Sequence, residues 1–244
     1  MMPAVRLFDL SARPRLRAVA PPLAGARSGG RRRGSAIGLL GGSFNPPHEG
    51  HRHISIEALR LLGLDAVWWL VSPQNPLKPR AGMAPLAERL HRAEAVAAHP
   101  RIRVTDIEQR LRTVYTVDTV SRLTSSFEGR FVWLIGADNL LQMARWRRWR
   151  DLVSLTPIAV FDRSPYSHAA VASRVATALR GSRLPERRAD RLIEMAPPVW
   201  TYIHLRPHPA SSTALREKTD GPDGSAGAHA ANMQPETAPY PPIR

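Results

Sequence analysis

Residues 36–51 read AIGLLGGSFNPPHEGH and contain a short apolar run, two adjacent glycines and a pair of histidines. The apolar run predicts a buried β-strand at 36–40, and residues 51–62 have the apolar spacing of a helix. The glycine turn therefore lies directly after the first predicted strand and leads into the first predicted helix. A strand, a turn and a helix in this order begin an α/β fold.

The same alternation continues along the chain. Further apolar runs predict buried strands at 66–71, 102–105, 130–135, 158–161 and 199–204. Helix-like segments lie at 85–98, 117–125, 139–144, 168–180 and 186–194. Strands that alternate with helices predict right-handed crossovers and a Rossmann-like, doubly wound parallel sheet. Ligands of such sheets bind at the carboxyl ends of the strands.

Composition predicts one domain with two tails. The chain has 244 residues, of which 43% are hydrophobic, enough for one core. Residues 1–35 and 220–244 lack a sustained apolar period and predict disordered extensions around a domain at 36–219. No run approaches the roughly 18 apolar residues of a membrane span, so we expect a cytoplasmic protein. The absence of cysteine excludes disulfides, thiolate metal sites and a cysteine nucleophile.

The net charge of +15 is spread unevenly. Residues 1–35 hold eight Arg and one Asp, and residues 36–216 keep a net charge of +10. A basic central region suits polyphosphate substrates as well as it suits RNA. Charge alone therefore leaves both classes of ligand open.

The loop 41–51 has the composition of an anion-binding site. Gly41 and Gly42 allow the backbone to approach a phosphate closely, and the hydroxyl of Ser43 can donate a hydrogen bond to it. The following helix adds unpaired N–H groups and the positive end of its dipole. His48 and His51 are three residues apart, so a helical first turn would place both imidazoles on one face. The alternative is an ordinary turn followed by surface or capping histidines.

The run 41–51 resembles the opening of the bacterial nicotinate-nucleotide adenylyltransferases, which belong to the HxGH nucleotidyltransferase superfamily. Residues 48–51, HEGH, match the HxGH signature. The resemblance extends over residues 37–216 through further blocks: SPQNPLK at 72–78, VYTVDT at 114–119, IGADN at 135–139, Trp146 with Trp149, and SSTALR at 211–216. It implies transfer of AMP from ATP to nicotinate mononucleotide, giving nicotinate adenine dinucleotide and pyrophosphate in NAD biosynthesis.

The resemblance also implies an ATP site on the glycine loop and at the end of the fourth predicted strand. Its residues would be Gly41, Gly42, Ser43, Phe44, Gly136, Asp138, Ser212, Thr213 and Arg216. The charge of the reacting phosphates would be stabilised by His48, His51, Lys78 and Arg216. Without the family, Lys78 reads as a solvated loop lysine and 211–216 as a helix cap with a surface arginine. Asp138 could cap a helix as well as bind ribose.

The nicotinate mononucleotide site implied by the resemblance consists of Asn45, Tyr115, Thr116, Thr119 and Trp146. The Tyr-Thr-x-x-Thr block would recognise the pyridine carboxylate, partly through backbone N–H groups. Trp146 would stack near the pyridine ring, whereas Trp149 would pack in the core. Some positions depart from the family, since Ser43, Asn45 and Leu77 stand where many members have Thr, Asp and His.

The expected mechanism needs no covalent intermediate. The phosphate of the mononucleotide is ionised near neutral pH and can attack the α-phosphorus of ATP without a general base. Catalysis then requires positioning and charge stabilisation. We expect Mg²⁺ to arrive with ATP, bound by phosphate oxygens and water, and we assign no metal ligand in the protein. The expected partners are ATP and nicotinate mononucleotide; membrane and nucleic acid are not expected, and a homo-oligomer is left open.

Other interpretations remain at this point. A pantetheine-phosphate adenylyltransferase or a cytidylyltransferase would share His48 and His51, but would lack the Tyr115 and Trp146 blocks. Class I aminoacyl-tRNA synthetases have a related fold and an HxGH-like motif. We do not expect one here, because 244 residues are too few to include an anticodon-binding domain as well. From a different class, a basic RNA-binding protein could use residues 1–35 and the run RWRRWR at 145–150.

Deletion of residues 1–35 separates the two classes. An RNA-binding protein should lose most of its affinity for RNA, because eight arginines are removed. An adenylyltransferase should release pyrophosphate at an unchanged rate. Filter binding and a pyrophosphate assay on both chains make the comparison, and a transfer rate that disappears from the folded, shortened chain would contradict the enzyme interpretation.

Overall fold

The computed structural model describes residues 34–74, 81–162 and 166–205. Its strands form one sheet in the order β3-β2-β1-β4-β5-β7-β6, and all neighbouring pairs are parallel. The strands are β1 (Ser35–Gly42), β2 (Ala66–Val71), β3 (Ile102–Thr105), β4 (Gly129–Gly136), β5 (Ile158–Phe161), β6 (Arg183–Leu184) and β7 (Trp200–Ile203).

Helices connect the strands and cover both faces of the sheet. They are α1 (Glu49–Leu61), α2 (Leu86–Ala97), α3 (Ile107–Leu111), α4 (Thr116–Ser126), α5 (Ala137–Gln142), α6 (Trp149–Leu155), α7 (Ser167–Val171) and α8 (Arg174–Ala178). Shorter 3-10 segments occupy Met143–Arg145, Arg180–Ser182 and Glu186–Glu194. None of the helices within the described ranges is long and apolar enough to span a bilayer.

Two hydrophobic clusters lie on opposite faces of the sheet. One joins Trp69 of β2 to buried residues of α1, α2 and the 3-10 segment Glu186–Glu194. The other joins Trp133 of β4 to buried residues of α4, α5, α6, α7 and α8. A parallel sheet with helices on both faces is the doubly wound α/β architecture, so the predicted fold class is confirmed.

Several predicted boundaries were wrong for local reasons. The first strand continues to Gly42, so the adjacent glycines are its last residues and do not follow it. The predicted helix 168–180 is interrupted, because the Ser173 hydroxyl accepts a hydrogen bond from Ala176 N–H and starts a new helix. Residues 186–194 form a 3-10 helix. Strand β6 and helices α3 and α6, which are two to seven residues long, were not predicted. The predicted tails lie outside the described residues, apart from 34 and 35.

The two glycines that end β1 have different surroundings. A Cβ atom built on Gly41 would lie 2.6 and 2.8 Å from two carbons of the Trp133 indole. Trp133 is almost fully buried, and close-packed neighbours limit its movement. At Gly42 the nearest atom would be a ring carbon of Phe44 at 3.5 Å, which is an ordinary contact. Gly41 is thus required by packing between β1 and β4.

The substitution Gly41→Ala should therefore destabilise the fold by roughly 1–3 kcal/mol, which is the usual cost of overpacking a core. The matched substitution Gly42→Ala should stay within about 0.5 kcal/mol of the original chain. Urea unfolding followed by tryptophan fluorescence measures both. Equal stability of the two variants would show that Trp133 does not constrain this position.

Candidate active site

The site lies where the order of strands in the sheet reverses. From β1 the chain crosses to β2 on one side, and β4 pairs with β1 on the other. The β1–β4 ladder ends at the pair Leu40 and Leu134, although the strands continue to Gly42 and Gly136. The two strands therefore part at their carboxyl ends, where a doubly wound sheet is expected to form a ligand crevice. Doubly wound sheets bind ligands at this kind of switch point.

His48 and His51 cap the start of α1 reciprocally. His48 is the N-cap residue, with an extended backbone at φ −154° and ψ 165°. Its Nδ1 accepts a hydrogen bond from Gly50 N–H at 3.1 Å, and its own N–H donates to Nδ1 of His51 at 3.2 Å. Two expectations are thereby corrected. His48 precedes the first turn, and the N–H groups of His48 and Gly50 are bonded to imidazoles because these rings serve as caps.

This capping determines which nitrogen of each imidazole carries a hydrogen. A neutral imidazole has one donor and one acceptor nitrogen, and Nδ1 is the acceptor in both rings. Nε2–H is therefore the donor in both. The ring centroids of His48 and His51 are 3.9 Å apart, and His48 is 5% exposed. Each ring therefore carries an Nε2–H donor, and that of the buried His48 lies where little water competes.

Aromatic rings of Phe44 and Trp69 pack against His51. The ring of Phe44 lies 4.7 Å from the His51 ring and 5.0 Å from the ring of Trp69, measured between centroids. Trp69 Nε1 donates to the Ser55 hydroxyl at 2.7 Å, which in turn donates to the His51 carbonyl at 2.8 Å. Phe44 has a left-handed φ of 48° and is buried, so its ring belongs to the support of the site. Any contact of Phe44 with ATP would involve its backbone.

Ser43 presents a hydroxyl that lacks a partner within the described part of the chain. The residue directly follows β1 and is 6% exposed. A buried hydroxyl without a hydrogen bond is costly, and a ligand oxygen would satisfy it. The Ser43 carbonyl accepts a hydrogen bond from Nη1 of Arg89, a residue of α2, at 2.6 Å.

Asn45 connects the loop after β1 to the segment before α2. Its Nδ2 donates to the Gly82 carbonyl at 2.9 Å, and its Oδ1 accepts from Ala84 N–H at 3.2 Å. Both ends of the amide are therefore used to hold the backbone of residues 82–84. This geometry makes Asn45 a link between two loops, while its predicted contact with the mononucleotide stays a prediction.

The Tyr-Thr-x-x-Thr block forms the start of α4. Tyr115 is the N-cap residue, and within the described ranges this helix start has no side-chain capping hydrogen bond. Thr119 is fully buried, and its hydroxyl lies 2.8 Å from that of Thr113 and 3.3 Å from the Tyr115 carbonyl. Thr119 therefore shapes the turn that carries Tyr115 and Thr116. The uncapped first turn of α4 leaves a place for an anion at the carboxyl edge of the sheet.

Glu108 is a buried acid that the sequence did not single out. It lies in α3, is 6% exposed, and its Oε2 has no hydrogen-bond partner among the described residues. Its carbonyl accepts from Thr113 N–H at 3.0 Å, which ties it to the turn before α4. Burial raises the pKa of Glu108 to about 7, and a hydrogen bond from the Ser72 side chain opposes that rise only in part.

The other predicted residues of the described chain lie near the ends of β4 and α5. Gly136 is the last residue of β4 and the N-cap residue of α5. Asp138 is the second residue of that helix, so the alternative that it is the N-cap is wrong. Trp149 is buried, as predicted, and Trp146 is partly buried against the same core. The guanidinium of Arg147 lies 4.7 Å from the centroid of the Tyr115 ring.

Four predicted site residues lie outside the described residues: Lys78, Ser212, Thr213 and Arg216. Within the described ranges, no group of three His, Asp or Glu side chains is placed to hold a metal ion. The assignment of phosphate contacts to these four residues stays a prediction.

Sequence reasoning missed Arg89 and Glu108, although a signal for the first was present. Arg89 occupies the stripe of α2 that also carries buried Ala93 and Ala97, at intervals of four residues. A charged residue on an apolar helix face needs an explanation. Glu108 gave no such signal, because α3 is too short for a periodic pattern.

The raised pKa of Glu108 predicts a pH-dependent stability. Between the ordinary value of 4.5 and about 7, the unfolded chain has already lost this proton while the folded chain keeps it. The free energy of unfolding therefore falls as the pH rises through this range, by roughly 3 kcal/mol at most. Glu108→Gln should remove that part of the pH dependence and be more stable than the original chain above pH 7.

Urea unfolding between pH 4.5 and pH 8 measures this effect. Glu128→Gln, which alters an exposed carboxylate, is the control and should follow the original chain. The prediction fails if Glu108→Gln and Glu128→Gln change stability equally at every pH.

The chain has relatives among known proteins. Residues 39–218 match a family model described as cytidylyltransferase-like. A protein of Parvibaculum lavamentivorans named "Probable nicotinate-nucleotide adenylyltransferase" is 53% identical over 186 residues, which are 76% of this chain and 92% of that protein. A protein of Roseobacter denitrificans with the same name is 48% identical over 188 residues, 77% of this chain and 94% of its own.

Solved structures show the same fold at low sequence identity. The structure named Plasmodium falciparum nicotinic acid mononucleotide adenylyltransferase complexed with NaAD has a TM-score of 0.57 and 15% identity. It covers 75% of this chain and 83% of that one. Together with the family model and the relatives of about 50% identity, the histidine pair at the switch point leads to one conclusion: the chain belongs to the cytidylyltransferase-like family and, within it, to the nicotinate-nucleotide adenylyltransferases.

Proposed function

We propose that the chain transfers AMP from ATP to nicotinate mononucleotide, forming nicotinate adenine dinucleotide and pyrophosphate in NAD biosynthesis. The observation that carries this proposal is the reciprocal cap of His48 and His51 at the start of α1, which uses Nδ1 of both rings and leaves Nε2–H as the donor of each. The names of the relatives supply the substrate class.

The histidines stabilise the charge of the reacting phosphates. Each Nδ1 accepts a hydrogen bond from a backbone N–H at the positive end of the helix dipole. This bond polarises the imidazole and makes its Nε2–H a stronger donor. These donors, with the buried Ser43 hydroxyl, bind phosphate oxygens as negative charge develops. They are held in place before substrate binds, so little reorganisation is needed during the reaction.

The phosphate of nicotinate mononucleotide is the nucleophile. One of its oxygens forms a bond to the α-phosphorus of ATP, and the bond from that phosphorus to the bridging oxygen of pyrophosphate breaks. The nucleophile is already ionised, so the protein accepts no proton. Its task is to hold the two substrates in line, which accounts for a large part of the rate enhancement in such reactions.

The start of α4 is the proposed site of the pyridine carboxylate. Its first turn has no side-chain cap, so backbone N–H groups at Thr116 and Val117 can face an anion. The Arg147 guanidinium above the Tyr115 ring adds positive charge nearby. A carboxylate gains from both features, whereas the neutral amide of nicotinamide mononucleotide does not. Trp146 is proposed to stack near the pyridine ring.

Mg²⁺ is proposed to enter with ATP, bound mainly by phosphate oxygens and water. The ion would neutralise charge on the leaving pyrophosphate. Lys78, Ser212, Thr213 and Arg216 are proposed to contact the triphosphate, and Gly136 and Asp138 the nucleoside. The cytoplasmic location stays a prediction of the sequence, and the sequence leaves the oligomeric state open.

Release of pyrophosphate from ATP and Mg²⁺ tests this function. Nicotinate mononucleotide, nicotinamide mononucleotide and phosphopantetheine are compared as acceptors. We expect fast release with nicotinate mononucleotide and slow release with the others. Release with phosphopantetheine alone would overturn the substrate and leave the family assignment intact.

Substitution of His48 tests the site. His48→Asn keeps a side-chain oxygen that can cap α1 but lacks the Nε2–H donor. We expect its kcat to fall by about 100-fold or more, which is typical for loss of one transition-state donor, with stability nearly unchanged. His48→Ala should lose both the activity and the cap. His91→Ala, an exposed histidine of α2, is the matched control. Full activity of His48→Asn would contradict the proposed role.

A further inference from the structure

Arg89 bonds to four backbone carbonyls at the carboxyl edge of the sheet. Nη1 donates to the Ser43 carbonyl at 2.6 Å and to the Ser72 carbonyl at 2.7 Å. Nη2 donates to Pro73 at 3.2 Å, and Nε donates to Ala84 at 2.9 Å. The guanidinium therefore joins the loop after β1, the loop after β2 and the start of α2.

The charge of Arg89 is buried without a carboxylate partner. The residue is 2% exposed, and it forms no ion pair within the described part of the chain. Burial lowers the pKa of Arg89, but an arginine keeps its proton in proteins. Four charge-assisted hydrogen bonds to carbonyl oxygens offset the cost of burial. The structural effect of these four bonds is to hold the carbonyls of three chain segments together.

The carbonyls that Arg89 joins belong to the loops beside the ligand crevice. Ser43 carries the buried hydroxyl without a described partner, and Phe44, the next residue, stacks against His51. On the other side, Ser72 N–H donates to the Gly42 carbonyl at 2.9 Å, extending the pairing of β1 and β2 beyond the sheet. Arg89 continues this connection where strand pairing has ended. A shift of Ser43 would also shift the support of His51.

We propose that Arg89 is a positioning residue for adenylyl transfer: it sets the distance between the loops after β1 and β2, and thereby the places of Ser43 and the histidine pair. The role depends on the planar fork of the guanidinium, because its nitrogens reach carbonyls in three directions. A lysine carries the same charge on a single nitrogen and cannot bond to all three segments. The inference rests on the proposed function, and Arg89 itself touches no substrate.

The comparison of Arg89→Lys with Arg92→Lys tests the proposal. Arg92 lies three residues further on α2, is exposed and pairs with Glu88. In the full chain, we expect Arg89→Lys to lower kcat by about 100-fold, the effect of a misplacement of about 1 Å. KM for ATP should change by no more than about threefold, since the charge is kept and no substrate contact is lost. Arg92→Lys should match the original chain.

A measurement on the unsubstituted protein keeps the proposal testable if Arg89→Lys does not fold. In protein labelled with ¹⁵N-arginine, the assigned Nε–H and Nη–H signals of Arg89 should exchange slowly with solvent, because four carbonyls hold them. These signals should keep their positions when a non-hydrolysable ATP analogue binds. Fast exchange, or a large shift on binding, would show that Arg89 is free or contacts the phosphates, and would overturn the proposal.

The kinetic outcomes are equally decisive. A kcat of Arg89→Lys equal to that of Arg92→Lys would overturn the positioning role, and so would a raised KM for ATP with unchanged kcat. If the unsubstituted protein releases no pyrophosphate with any acceptor, the proposed function fails. The ¹⁵N signals would then still show whether Arg89 holds the two loops together.

Discussion

Beyond the carboxyl edge of a buried parallel sheet, backbone N–H and C=O groups no longer have a neighbouring strand to bond to, and they need other hydrogen-bond partners. In this chain side chains provide them. The imidazoles of His51 and His48 accept the N–H groups of His48 and Gly50 at the start of α1. The guanidinium of Arg89 donates to the carbonyls of Ser43 and Ser72. The loop after β1 is thus fixed by the same groups that satisfy its backbone. Packing reinforces this, because Gly41 fits against Trp133 and Phe44 stacks on Trp69.

A site built in this way suits a reaction that needs positioning more than acid–base chemistry. The capping bonds use Nδ1 of both histidines and so leave Nε2–H as the donor. Both rings lie at the start of α1, and the buried Ser43 hydroxyl lies in the loop before it. Donors that are fixed before binding stabilise developing charge without having to reorganise. The same residues therefore complete the fold and prepare the chemistry.

The sequence predicted the features that depend on neighbouring residues. Apolar runs located the long strands, and the doubly wound sheet followed from their alternation with helices. The HxGH spacing placed the histidine pair at the start of the first helix, beyond the carboxyl end of the first strand, although the adjacent glycines belong to that strand. The short elements β6 and α3 were missed, since two to five residues show no period. The contacts of Arg89 could not be predicted either, because they join carbonyls up to 46 positions away in sequence.

The stereochemical course at the α-phosphorus of ATP tests most directly whether this site works by positioning two substrates for direct transfer. The substrate would be one diastereomer of adenosine 5′-O-(1-thiotriphosphate), with nicotinate mononucleotide as the acceptor. A single in-line displacement predicts inversion of configuration in the dinucleotide product. Retention would require two displacements, and therefore a covalent adenylyl intermediate on the protein, which would contradict a mechanism in which the histidines only donate hydrogen bonds.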